Sequence, residues 1–199
     1  RILTDFYHPL IGMGARVDVI GSRKKLDSYK ILLSPYMMTL EEGNLAERIE
    51  EWVKNGGVWI VGPMTDQRNS IGTHYTDRAM GMLERLTGAR LAFSAPDRGA
   101  YIKASWQDGA TFTGNLWFEM YDTSQENTLV TVTGLHSAIK GKSLVMSFPV
   151  GRGQILLLGS IPSPDDLKRI FTLALDRAGV KLPKITGELA VIPRSGAAG

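Results

Sequence analysis

An imidazole, a guanidinium, a carboxylate and a carboxamide fall close together in the polar segment Pro63 to Tyr75: His74, Arg68, Asp66 and Asn69, with Asp77 just beyond. The segment follows the apolar run Val58-Trp59-Ile60-Val61, and open α/β sheets bind ligands at the carboxyl ends of such strands. Side chains of these types could hold the hydroxyls of a sugar or the charged groups of a small metabolite. A solvated or interface loop is the competing reading of the same residues, and it leads. Connections from strand to helix usually take about 2–6 residues, so a loop of this length is functional or peripheral.

Other chemistry is argued against by the motifs. The chain has no cysteine, which removes disulfides, thiolate metal sites and a cysteine nucleophile together. Its three histidines, His8, His74 and His136, show no metal-ligand spacing. No Gly-x-Gly-x-x-Gly, no phosphate-binding Gly-x-x-x-x-Gly-Lys-Ser/Thr and no Gly-x-Ser-x-Gly occurs. Gly151-Arg152-Gly153 precedes a strand instead of opening a helix, so it reads as a hairpin turn. Glu41-Glu42 and Glu50-Glu51 read as solvated faces, because glycosidase carboxylates must flank a substrate across a pocket. We therefore expect no catalytic residue, no metal ligand and no cofactor in this chain.

Charge is nearly balanced, with 23 Lys and Arg against 20 Asp and Glu spread along 199 residues, so neither nucleic acid nor an anionic membrane is expected as a partner. Arg23-Lys24-Lys25 is read as a solvated loop. No apolar run approaches the ~20 residues of a membrane helix, so a soluble chain is expected; the compartment stays open, with the cytoplasm favoured.

The elements that must position these residues are legible in part. Asp5 to Met13 reads as a helix through Phe6, Leu10 and Met13, with Gly14 as its stop. Arg16 to Ile20 reads as a strand, and Lys30 to Ser34 as a second. The helix Gly43 to Asn55 presents Leu45, Ile49, Trp52 and Val53 on one face, with Thr39 or Asn44 as its cap. Gly56-Gly57 then stops it and Val58 to Val61 follows, which is a βαβ unit with strands buried on both faces. Asp77 is expected to cap a short helix carrying Met80, Leu83 and Leu86. From Ala89 to Val150 short aromatic and β-branched segments alternate with turns, the signature of antiparallel strands. Trp106, Trp117, Phe118 and Tyr121 lie there, some in a core and others available to a sugar or a neighbouring subunit. Gly153 to Gly159 reads as a buried strand, and Ser163 or Asp165 caps a helix buried through Leu167, Ile170, Phe171, Ala174 and Ala178. Val180 to Gly187 reads as a linker, and Glu188 to Arg194 as a strand opening another domain.

Taken in order, Val17-Asp18-Val19-Ile20, Tyr29 to Met37, Leu45 to Pro63 and Gly151 to Val180 resemble the middle, trimerisation domain of family 42 β-galactosidases. That resemblance implies a fold similar to class I glutamine amidotransferases: an open, mostly parallel α/β sheet with helices on both faces, flavodoxin-like, carrying a β-rich antiparallel insertion at about 89–150. It implies a domain over residues 1–180, with 181–199 as linker and the start of a C-terminal β domain. It implies a parent glycosidase whose two glutamates sit on a (β/α)₈ barrel elsewhere in the same polypeptide, and a homotrimer as the assembly. Amidotransferases carry a cysteine where this chain has Gly62-Pro63-Met64 and a His-Pro-Glu motif where it has Ser160-Ile161-Pro162-Ser163, so amidotransferase chemistry is rejected. A structural, oligomerising domain is the first expectation. A catalytically dead module binding a sugar or small metabolite through Asp66, Arg68, Asn69 and His74 is the alternative.

Overall fold

The computed structural model describes residues 3–97, 102–134 and 137–183. A π-helical turn, Leu3–Tyr7, runs into α1 (His8–Gly12). Pro9 has no N–H to give to the preceding turn, which fits the irregular start, and Gly14 ends the segment at φ 80°. No strand forms at Arg16–Ile20. Val19 is 75% exposed, and these residues pair with no strand among the described residues.

The sheet begins with β1 (Ile31–Ser34), which pairs in parallel with β2 (Val58–Val61). Between them lies α2 (Leu45–Lys54), with Leu45, Ile49 and Val53 buried. Neither proposed residue caps it. Asn44 takes a left-handed conformation with no side-chain cap, and the Thr39 hydroxyl accepts from Glu41 N–H instead. Beyond β2 a long loop leads to α3 (Met82–Thr87), and the chain then enters the β-rich part.

That part comprises β3 (Arg90–Asp97), β4 (Ala104–Trp106), β5 (Thr111–Phe112), β6 (Gly114–Asp122), β7 (Thr128–Val132) and β8 (Ser143–Val150). A two-residue turn at Gly151-Arg152 closes the hairpin to β9 (Gly153–Leu158). Then come β10 (Ser160–Pro162) and α4 (Pro164–Arg177). Among the described residues one ten-stranded sheet runs β1-β2-β9-β8-β7-β4-β5, with β6 branching from β8 and carrying β3 and β10.

Helices on both faces are as expected, but a mostly parallel sheet is not. Among the described residues only β1–β2 and β2–β9 are parallel, and the seven other strand pairings are antiparallel. Apolar runs report burial on two faces, and they do not report direction. β8 is buried at six of its eight residues, yet it returns on β9 through a tight turn. The β-rich segment is consequently a continuation of the sheet and not an insertion beside it.

Alternation along the strands divides the core. Val58, Ile60, Leu156 and Leu158 face α4 and Phe6, with Leu167, Ile170, Phe171 and Ala174 opposite. Trp59, Val61, Ile155 and Leu157 face α2 and α3. The Trp59 indole donates to the Ser34 hydroxyl at 2.9 Å, which satisfies its one polar atom inside this second layer. Gly153 begins β9 where no side chain fits: a Cβ would stand 2.1 Å from the Val53 carbonyl oxygen and 2.3 Å from that of Gly57.

α4 is capped by Ser163, whose hydroxyl accepts from Asp166 N–H at 3.2 Å and donates to the Asp166 carboxylate at 2.6 Å. Asp166 also accepts from the Trp106 indole at 2.7 Å and from Thr113 N–H at 2.9 Å, fixing the helix start to the far strands. His136 and the strand expected at Glu188–Arg194 lie outside the described residues, as does the second half of the Val180–Gly187 linker.

Candidate functional site

β2 delivers the chain into the loop through Gly62, whose N–H donates to the Ser34 carbonyl at 3.0 Å. Met64 and Asp66 then both take φ 61°, a left-handed conformation uncommon for residues with a side chain. The loop is held against the segment after β1. Thr65 accepts from Met37 N–H at 3.1 Å, Asp66 N–H donates to Met37, and Arg68 N–H donates to Met38.

Of the four residues singled out from the sequence, Asp66 parts from the other three. Asp66 is 2% exposed, and its carboxylate accepts from Leu83 N–H at 2.8 Å, so it and not Asp77 serves the start of α3. Burial pushes its pKa up to about 6, opposed by the Leu83 and Met82 N–H groups and by Arg78. Asp77, at the surface, pairs with the adjacent Arg78.

Arg68, Asn69 and His74 are brought together in a small hairpin. Arg68 and His74 face each other across an antiparallel bridge, and the Arg68 guanidinium donates to the Gly72 carbonyl at 2.7 Å. The Asn69 side chain donates to the Thr73 hydroxyl at 2.7 Å and accepts from Ile71 and Thr73 N–H. These bonds hold Ile71 80% exposed at the tip. Glu41 steadies the hairpin from outside, accepting from Ser70 N–H at 2.7 Å and the Tyr75 hydroxyl at 3.2 Å.

Sequence reasoning missed Glu119, the best-connected acid near this loop. It is 1% exposed on β6 and accepts from Met64 N–H at 3.0 Å, the Gln67 amide at 2.8 Å, the Trp117 indole at 2.9 Å and the Tyr121 hydroxyl at 2.7 Å. Burial, and then the adjacent Glu119 charge, hold the Tyr121 phenol protonated and therefore a donor. A lone acid within Leu116 to Tyr121, an otherwise apolar and aromatic run, was the signal available.

Of the aromatics noted there, Trp106, Phe118 and Tyr121 are core, and Trp117 is half-buried beside Glu119.

Chemically, this arrangement ties elements together. No buried side-chain nitrogen or oxygen among the described residues lacks a partner, and no group of three His, Asp or Glu there could hold a metal. Clefts of about 430 and 320 Å³ are lined by residues other than Asp66, Arg68, Asn69 and His74. Ser160-Ile161-Pro162, where an amidotransferase would carry part of its site, is a buried strand paired with β6.

The family model described as the beta-galactosidase trimerisation domain matches residues 1–181. The chain belongs to this family. Among relatives of the trimerisation domain, beta-galactosidase YesZ of Bacillus subtilis is 31% identical over 162 residues, covering 81% of this chain and 24% of that protein. YesZ of Bacillus licheniformis is 29% identical over 205 residues, covering 100% of this chain and 30% of that protein. The chain thus spans less than a third of the curated relatives it matches. The solved beta-galactosidase of Halorubrum lacusprofundi superposes with a TM-score of 0.82 at 23% identity, over 91% of this chain and 27% of that one, which shows the fold.

Proposed function

We propose that this trimerisation domain joins subunits of a β-galactoside-hydrolysing enzyme into a cyclic trimer, the catalytic barrel being carried elsewhere in the same polypeptide. The family match over residues 1–181 is the observation that carries this reading. It agrees with the candidate loop, where every buried acid is consumed in joining elements and none is aimed at open space.

A cyclic trimer needs two different patches on each subunit. The hairpin tip supplies one candidate, since Ile71 is exposed on a loop already stiffened by Arg68, Asn69 and His74, and a pre-organised contact loses little entropy on docking. Strand β3 supplies the other. It pairs only with β6 among the described residues and leaves Phe93 50% exposed along its length.

Light scattering on the full-length polypeptide tests the proposal. A trimer is expected, with Ile71→Arg and Phe93→Lys each shifting it to monomer at an unchanged melting temperature. A monomeric parent, or a trimer that persists once this domain is deleted, would overturn it.

A further inference from the structure

At the opposite end of the parallel strands from the candidate loop, α2 and the segment leading into β1 enclose a cleft of about 430 Å³. Its aromatic wall is Trp52 with Tyr29; Arg48 and Asn55 also line it, and its polar rim is Lys25, Asp27, Lys30 and Glu51.

The walls are fixed. The Trp52 indole donates to the Tyr29 carbonyl at 3.2 Å, and its ring lies over Gly57, where a Cβ would come within 2.5 Å of the ring junction. The Tyr29 hydroxyl is held by Asp18 at 3.1 Å. The Arg48 guanidinium binds the Ser22 carbonyl at 2.9 Å and that of Lys24, which pins the loop carrying Lys25. Arg152 donates to Asn55 at 3.2 Å at the Asn55 end of the cleft. The rim groups are different: none of Lys25, Asp27, Lys30 and Glu51 makes a side-chain hydrogen bond or ion pair with a described residue.

The rim chemistry selects among ligand classes. An anion would meet two carboxylates, a cation two ammonium groups and the Arg48 guanidinium, and an apolar molecule would strip water from the charged rim. A neutral polyol has hydroxyls that donate to carboxylates and accept from ammonium groups, while its C–H face rests on an aromatic ring. The volume lies within the ~300–1,000 Å³ of small-ligand sites. We propose that this cleft binds a neutral mono- or disaccharide, away from any catalytic barrel. The inference stands apart from the assembly reading, because none of these residues belongs to the hairpin or to β3.

Isothermal titration calorimetry of the 199-residue chain with lactose is the test. Saturable heat with a Kd on the order of 1 mM is expected, with no heat from inorganic phosphate. Lys25→Ala and Glu51→Ala should each weaken binding about tenfold while melting as the unaltered chain does. Three results would overturn the site: no heat with lactose up to ~50 mM, phosphate binding in its place, or unchanged lactose affinity in both variants.

Discussion

Asp66 and Glu119 are both buried, and neither forms an ion pair among the described residues, yet they make opposite use of their charge. Asp66 carries a pKa of about 6, above the ~3.9 of an unfolded aspartate, so the folded protein binds this proton more tightly than the unfolded chain. The associated stability is complete below about pH 4 and is lost as pH rises through about 6, on the order of 2–3 kcal/mol by neutral pH. Asp66→Asn keeps an acceptor oxygen for Leu83 N–H and removes the charge. Urea unfolding should therefore move by ~2 kcal/mol in favour of the Asn variant between about pH 4.5 and 7.5, and a pH-independent difference would refute this account. Glu119 instead gathers a backbone N–H, an amide, an indole and a phenol on one carboxylate. Glu119→Ala strands these four donors, of which the Gln67 amide and the Tyr121 hydroxyl are buried, and should lower stability by about 3–5 kcal/mol, with Glu119→Gln intermediate in urea unfolding.

Elements whose evidence is local were legible in the sequence. α2 and α4 followed from helical spacing of apolar residues, and β2 and β9 from short apolar runs bounded by glycine. The failures have a common cause in contacts between distant segments. Arg16–Ile20 has the residue types of a strand but joins no ladder among the described residues, and pairing decides a strand more than composition does. Asp66 reaches α3 across 17 residues, and Glu119 reaches Met64 across 55, so neither role leaves a local pattern. At Gly153 a sequence signal and a tertiary requirement coincide, because the glycine ending the β8–β9 turn is also the point where α2 presses on the sheet. Gly153→Ala would drive a methyl group into the Val53 and Gly57 carbonyls and should cost about 3 kcal/mol or more, read as a fall in melting temperature.

For the whole molecule, the decisive difference from the sequence reading is that residues 89–150 complete the sheet. β8 pairs with β9 along its length, and its side chains enter both core layers, Leu144 and Val145 in one and Met146, Phe148 and Val150 in the other. Replacing 89–150 by a short linker should therefore abolish folding and not leave a smaller parallel domain, which circular dichroism and proton spectra would show at once. No helix among the described residues is long and apolar enough to cross a membrane. The four tryptophans offer a further use. Each indole N–H is committed to a different acceptor: Tyr29 at the saccharide cleft, Ser34 between the parallel strands, Asp166 at the start of α4 and Glu119 beneath the loop. Four downfield indole resonances, assigned by four Trp→Phe replacements, would thus act as built-in probes whose solvent-exchange rates time the opening of each region separately within one intact protein.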